Sequence, residues 1–294
     1  MAEIKLTCKL APAPRGSAKI YRLKATAVNE RAVRALAKRF GFRGRARDGS
    51  LCSDADKLTY SEAHLELTMY RASGGIRFRD RSRWQVDDGR VDFKLEDQAA
   101  QRLAQNFVRK QRLATSAETR FLKAAHLRAG EGNTQTRESY ERTIDVAIAL
   151  QRVIDRVPVD GPGGKIVVYL DRDGELTGFE RIWRDIAGAH GRAGALRSPQ
   201  AALDEMAQQW KDRRGIVEVS EVRYGYFEAG WRMRQLYLQP AYVIIGTARQ
   251  PESRVGRKTI YVATALEKPQ GRLTPVLRRK PAQRPRRARP GAAD

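Results

Sequence analysis

The sequence predicts an α+β fold: antiparallel twisted sheets, each packed on a helix, with the helix-plus-strands unit duplicated. Three observations carry this expectation. Residues 157–183 hold two β-prone runs, Ile166-Val167-Val168-Tyr169-Leu170 and Leu176 to Trp183, around Asp171-Arg172-Asp173-Gly174. An Asp-Gly pair between such runs is a strong hairpin signal. Residues 76–79 alternate Ile76 and Phe78 with Arg77 and Arg79, the period of a strand with one buried face. Helical stripes near 99–112 and 199–213 are each followed by strands, and Ala99-Ala100 and Ala201-Ala202 occupy equivalent places in the two stretches.

Residues 1–17 read as a loosely held extended arm, given Pro12, Pro14 and Gly16. Residues 19–28 alternate apolar and basic side chains as an edge strand does. Asn29 is the predicted N-cap of a helix whose apolar stripe is Val33, Leu36, Ala37 and Phe40, closed by Gly41. The opposite face carries Arg31, Arg34 and Lys38. Residues 42–56 read as a polar loop. A meander follows at 58–60, 65–71 and 76–79, turned by Ser73-Gly74-Gly75 and followed by Trp84.

The second helix spans about 96–112, with Glu96 and Asp97 at its positive end and Ala99, Ala100, Leu103, Ala104, Phe107 and Val108 on its stripe. Strands at 121–127 and 138–150, joined by a polar loop at 130–132, lead to the hairpin. Residues 187–197 read as a Gly/Ala linker. Ser198-Pro199 opens the third helix as N-cap and N1, with Ala202, Leu203, Met206 and Trp210 inward. Strands at 216–227, 234–246 and 259–266 close the body. The predicted units are an arm at 1–17, an α+β subdomain at 18–94, two helix-plus-strands units at 95–186 and 187–268, and a disordered basic tail at 269–294.

Charge is the strongest compositional signal. Lys and Arg number 57 against 34 acidic residues, a net +23. The tail beyond Pro269 contributes eight basic residues and one acidic one, so most of the excess lies in the body. Such a surface attracts polyanions. A preference for Arg over Lys in a GC-rich genome accounts for the same composition. The candidate polyanion contacts are Arg31, Arg34 and Lys38 on the first helix and Arg278, Arg279, Lys280, Arg284, Arg286, Arg287 and Arg289 in the tail. The alternation in 76–79 sets aromatics and arginines on opposite faces, which favours core aromatics over base stacking.

Motifs for catalysis do not appear: no GxSxG, HExxH, CxxC, P-loop or strand-borne GxGxxG. Cys8 and Cys52 allow one disulfide but no framework and have no metal-ligand spacing, and His64, His126 and His190 are scattered. Residues 171–175 lack the spaced ligands of a calcium loop and read as turn chemistry. Glu175 and Glu180 have no histidine or cleft signal beside them, so no acid/base role is assigned. The expectation is a non-enzyme without a cofactor. No apolar run reaches the roughly 20 residues of a membrane span. The first residues carry no signal-peptide pattern, which reads as cytoplasmic.

Val157-Pro158-Val159, the following Gly-rich corner, residues 165–170 and Asp173-Gly174-Glu175-Leu176 together resemble the PepSY-like units of thermolysin-type propeptides. Leu238-Gln239-Pro240-Ala241-Tyr242-Val243 is similar to the same superfamily, which includes the Yyc-type envelope regulators. The resemblance covers residues 95–265 and implies a non-catalytic module that binds or restrains a protein partner such as a peptidase or an envelope protein. It also implies a secreted or envelope location, against the absent signal pattern. A basic polyanion-binding protein, with nucleic acid or another acidic polymer as partner, is the alternative.

Overall fold

The computed structural model describes residues 2–10, 17–44, 49–83, 93–132, 135, 139–191, 194–211, 214–253, 255–271 and 273. Among the described residues strand outweighs helix, 49% to 17%, which is the mostly-β class. The expected duplication of antiparallel helix-plus-strand units is therefore overturned. A single mixed sheet of 13 strands runs through the described residues instead.

In chain order, β1 (Ala2–Leu6), β2 (Ser17–Ala18) and β3 (Tyr21–Leu23) precede α1 (Glu30–Lys38). A meander follows: β4 (Gly49–Ser53), β5 (Lys57–Glu62), β6 (Leu65–Tyr70) and β7 (Ile76–Asp80). Helix α2 (Asp97–Lys110) leads into β8 (Thr119–Gly132) and β9 (Ser139–Ile154), then β10 (Val157–Asp160), β11 (Lys165–Leu170) and β12 (Leu176–Ile182). The short β13 (Ile186–Ala189) and β14 (Gly194–Ala195) precede α3 (Pro199–Trp210). The chain closes with β15 (Gly215–Phe227), β16 (Tyr237–Leu238), β17 (Pro240–Arg249) and β18 (Arg257–Thr264).

Local signals place most of these elements where the sequence puts them. Asn29 caps α1, its side chain accepting from Ala32 N at 2.9 Å, and Ser198 caps α3 through Ala201 N at 3.2 Å. The β11–β12 hairpin forms around Asp171, whose Oδ1 accepts from the amides of Asp173 and Glu175 at 3.0 and 2.9 Å. Arg83 holds the other carboxylate oxygen at 2.9 Å, so this carboxylate is fully engaged in shaping the turn. Gly174 sits at φ +80°, where a side chain is strained.

The main sheet runs β18-β17-β15-β10-β9-β11-β12-β7-β6-β5-β4, with β1 joined to β15 and β8 to β9. Two of its pairings are parallel: β1 with the start of β15, and β10 with its end. Residues 2–6 are thus a sheet strand, not a loose arm. Within the predicted 42–56 loop, Phe42 is buried and residues 49–53 form β4. The predicted loop at 130–132 belongs to β8, and the first residues of the predicted linker, 187–189, belong to β13, which pairs with β3. Trp84 lies outside the described residues.

Helix α1 packs on β5 and β6 and helix α2 on β8, β9 and β11, and the two share one core. Val33, Ala37, Ala100 and Ala104 are fully buried in one cluster with Leu67, Val168 and Phe179. Helix α3 covers β15, β17 and β18 through Ala202, Leu203 and Met206. Cys8 and Cys52 are free thiols, and no helix among the described residues is long and apolar enough to cross a membrane.

Candidate functional site

The spacing of Arg31, Arg34 and Lys38 places them on one face of α1, turned about a third of a revolution from the buried Val33 and Ala37. The structure brings all three to one cleft of about 480 Å³ beside β5. Ala35, Phe42, Gly44 and Tyr60 complete its lining, which among the described residues holds three cations and no carboxylate. The tail candidates Arg278, Arg279, Lys280, Arg284, Arg286, Arg287 and Arg289 lie outside the described residues.

The wall of this cleft is built on a buried carboxylate. Glu62, 6% exposed, accepts from the amides of Arg43 and Gly44 at 2.8 and 2.9 Å and from the Tyr60 hydroxyl at 2.9 Å. Burial pushes the Glu62 carboxyl up, but the Gly44 and Arg43 amides and the Tyr60 hydroxyl outweigh it and hold it below the ordinary range. Burial, followed by the adjacent Glu62, raises the Tyr60 hydroxyl. Tyr60 is 1% exposed, and the Arg34 guanidinium lies 4.7 Å above its ring. Arg34 also donates to Glu30 at 2.8 Å, leaving Arg31 and Lys38 as the less engaged charges. Both aromatic rings of the lining are buried, so neither can stack a base. The cleft therefore presents charge and no stacking platform.

A second charged centre escaped the sequence reading. Arg152 of β9, Arg184 just beyond β12 and Glu228 just beyond β15 are 3%, 2% and 0% exposed. Arg184 donates to Glu228 through its amide at 2.8 Å and through Nη1 at 3.2 Å, and also reaches the carbonyls of Ala229, Gly230 and Met233. Arg152 Nη1 donates to Arg184 O at 2.8 Å and meets Glu228 Oε2 at 3.4 Å. Its guanidinium lies 4.7 Å from the Trp183 ring centre. Burial pushes the Glu228 carboxyl up, and the two guanidiniums oppose that. The sequence signal that could have marked this centre is a lone acid in the buried run Tyr226-Phe227-Glu228-Ala229.

The Gly-rich corner feeds the same centre. Gly163 N donates to Glu228 O at 2.9 Å, and a Cβ on Gly163 would stand 2.6 Å from Ala229 O. Close backbone approach therefore accounts for this glycine. Among the described residues no group of three or more His, Cys, Asp and Glu could hold a metal ion.

No family model matches this chain, and no curated protein matches it. Nine chains among solved structures do match. One is an uncharacterized protein from Eubacterium rectale ATCC 33656, 11% identical, with a TM-score of 0.51 over 93% of this chain and 90% of that one. At that identity the likeness shows the fold alone, and it does not point to a PepSY relation.

Proposed function

We propose that this chain is a polyanion-binding protein whose contact face is the α1 cleft. The observation that carries the reading is the convergence of Arg31, Arg34 and Lys38 on a lining with no carboxylate among the described residues, on a chain with a net charge of +23. Each phosphate neutralised releases counterions from the polymer, so affinity falls steeply with salt. The test is fluorescence anisotropy of a single-stranded oligonucleotide across a salt series. Three contacts give a log–log slope of about −2, at about −0.7 per phosphate. The double variant Arg31→Glu with Lys38→Glu is expected to flatten that slope and weaken binding. A wild-type slope near zero, or an unchanged affinity in the variant, overturns the reading.

A second reading, a non-catalytic protein-binding module, is favoured by the edge of β8. Among the described residues β8 pairs with β9 alone, and Phe121 and Leu127 on it are 39% and 43% exposed. An open edge accepts a partner's strand. A protein partner captured by the wild type and lost on Phe121→Asp with Leu127→Asp supports this reading. Equal capture by both counts against it.

A further inference from the structure

A second cleft, of about 660 Å³, opens between the C-terminal end of α2 and the strand that leaves the hairpin. Four arginines line it, Arg109, Arg112, Arg152 and Arg181, against two carboxylates, Glu118 and Asp185. Both acids are held in place by local contacts, and with both counted the four arginines still leave the lining a net charge of +2. Glu118 Oε2 is taken by the amide and hydroxyl of Thr115 at 3.0 and 2.8 Å. Asp185 is a 60% exposed partner of Arg181 at 3.3 Å, and Arg181 is held in place by the carbonyls of Leu113 and Trp183.

The inner wall is where charge is short. Arg152 and Arg184 share the single carboxylate of Glu228, and Arg184 takes most of its bonding. Arg152 is 97% buried, and its Nε has no hydrogen-bond partner. A buried guanidinium that shares its hydrogen-bonded carboxylate with a second one is costly, and Glu118 across the cleft supplies part of the missing charge. At the mouth, Arg112 adopts φ +48° just beyond α2, a left-handed position that glycine fills at least cost. A strained arginine there spends backbone energy to present a cation to the cleft.

We infer that this cleft is an oxyanion site, taking the phosphoryl or carboxylate group of a small ligand between Arg112 at the mouth and Arg152 on the inner wall. It is distinct from the α1 cleft and does not depend on polyanion binding there. The hydroxyls of Thr115 and Ser116 add polar lining, while Leu113 and Ile186 provide an apolar flank for the remainder of the ligand.

Calorimetric titration of the full chain at constant ionic strength, with inorganic phosphate in one arm and citrate in the other, tests the site. Saturable binding in either arm is expected, and the stronger arm names the source of the oxyanion. The decisive variant is Arg112→Gly, which removes the guanidinium and relieves its backbone. It should melt no lower than the wild type yet bind about tenfold more weakly, the loss of one charge-assisted contact. Arg109→Ala should weaken binding in the same direction. Absence of saturable binding overturns the site, as does wild-type affinity in Arg112→Gly. Phosphate binding that is lost in Arg31→Glu with Lys38→Glu, but untouched by Arg112→Gly, would likewise overturn it and move the anion to α1.

Discussion

Glu62 and Glu228 are both buried carboxylates, and their surroundings give them opposite pH behaviour. Glu62 accepts two amides and a hydroxyl, and its folded carboxyl lies below the ordinary range. Its contribution is therefore fully present above the unfolded value of about 4.3 and is lost as pH falls through the lower folded value. Glu62→Ala should cost about 2 kcal/mol at neutral pH, because it strands the Tyr60 hydroxyl and two amides. Urea denaturation checks the size, and the gap between variant and wild type should close on acidification below that range. A gap independent of pH would mean that lost packing, not the ionised acceptor, sets the cost. Glu228 instead balances two buried guanidiniums. Glu228→Ala leaves both uncompensated and should cost about 3–5 kcal/mol, read as a lowered denaturation midpoint. A cost below about 1 kcal/mol would show that the guanidiniums find water or another acceptor.

At the scale of elements, the signals that could be read were local ones. Asn29 and Ser198 were legible as caps because a side-chain oxygen three residues before an amide is a sequence-local device. The Asp173-Gly174 turn was legible because glycine suits its left-handed position. Another turn was not. The β9–β10 hairpin turns through Asp155 and Arg156, both left-handed at φ +48° and +67°, and Asp-Arg carries no such signal. Its geometry is held from a distance: Lys19 and the Tyr21 hydroxyl donate to Asp155 at 3.0 and 2.9 Å. Arg156→Gly should therefore raise stability by about 1 kcal/mol, since Asp-Gly suits a two-residue turn with both φ positive. A thermal melt measures it, and a fall in midpoint would show that the Arg156 side chain contributes more than its backbone strain costs. The basic face of α1 was legible from helical spacing, whereas the cleft needed Phe42 and Tyr60, which only the folded sheet brings beside it.

At the scale of the whole molecule, strand partners were the illegible part, because alternation tells which face a strand buries and not whom it pairs with. Strand β1 lies beside β15, more than 200 residues away in sequence, and β10 pairs with both β9 and β15. The Arg152–Glu228–Arg184 centre spans the same junction. These pairings cross the Gly/Ala stretch at 187–197 that reads as a linker in the sequence. A continuous sheet with a buried ionic centre at its middle should unfold as one unit, since separating the halves exposes Glu228 and both guanidiniums together. Equilibrium unfolding followed by tryptophan fluorescence and by far-UV circular dichroism should give coincident transitions. A fragment of residues 1–186 would leave β1 and β10 without β15, and Arg152 and Arg184 without Glu228. That fragment should lack cooperative unfolding and expose its unpaired strand edges to aggregation. Separated transitions in the full chain, or a fragment 1–186 that folds with a sharp melt of its own, would mean that the junction is a docking contact between two self-sufficient halves.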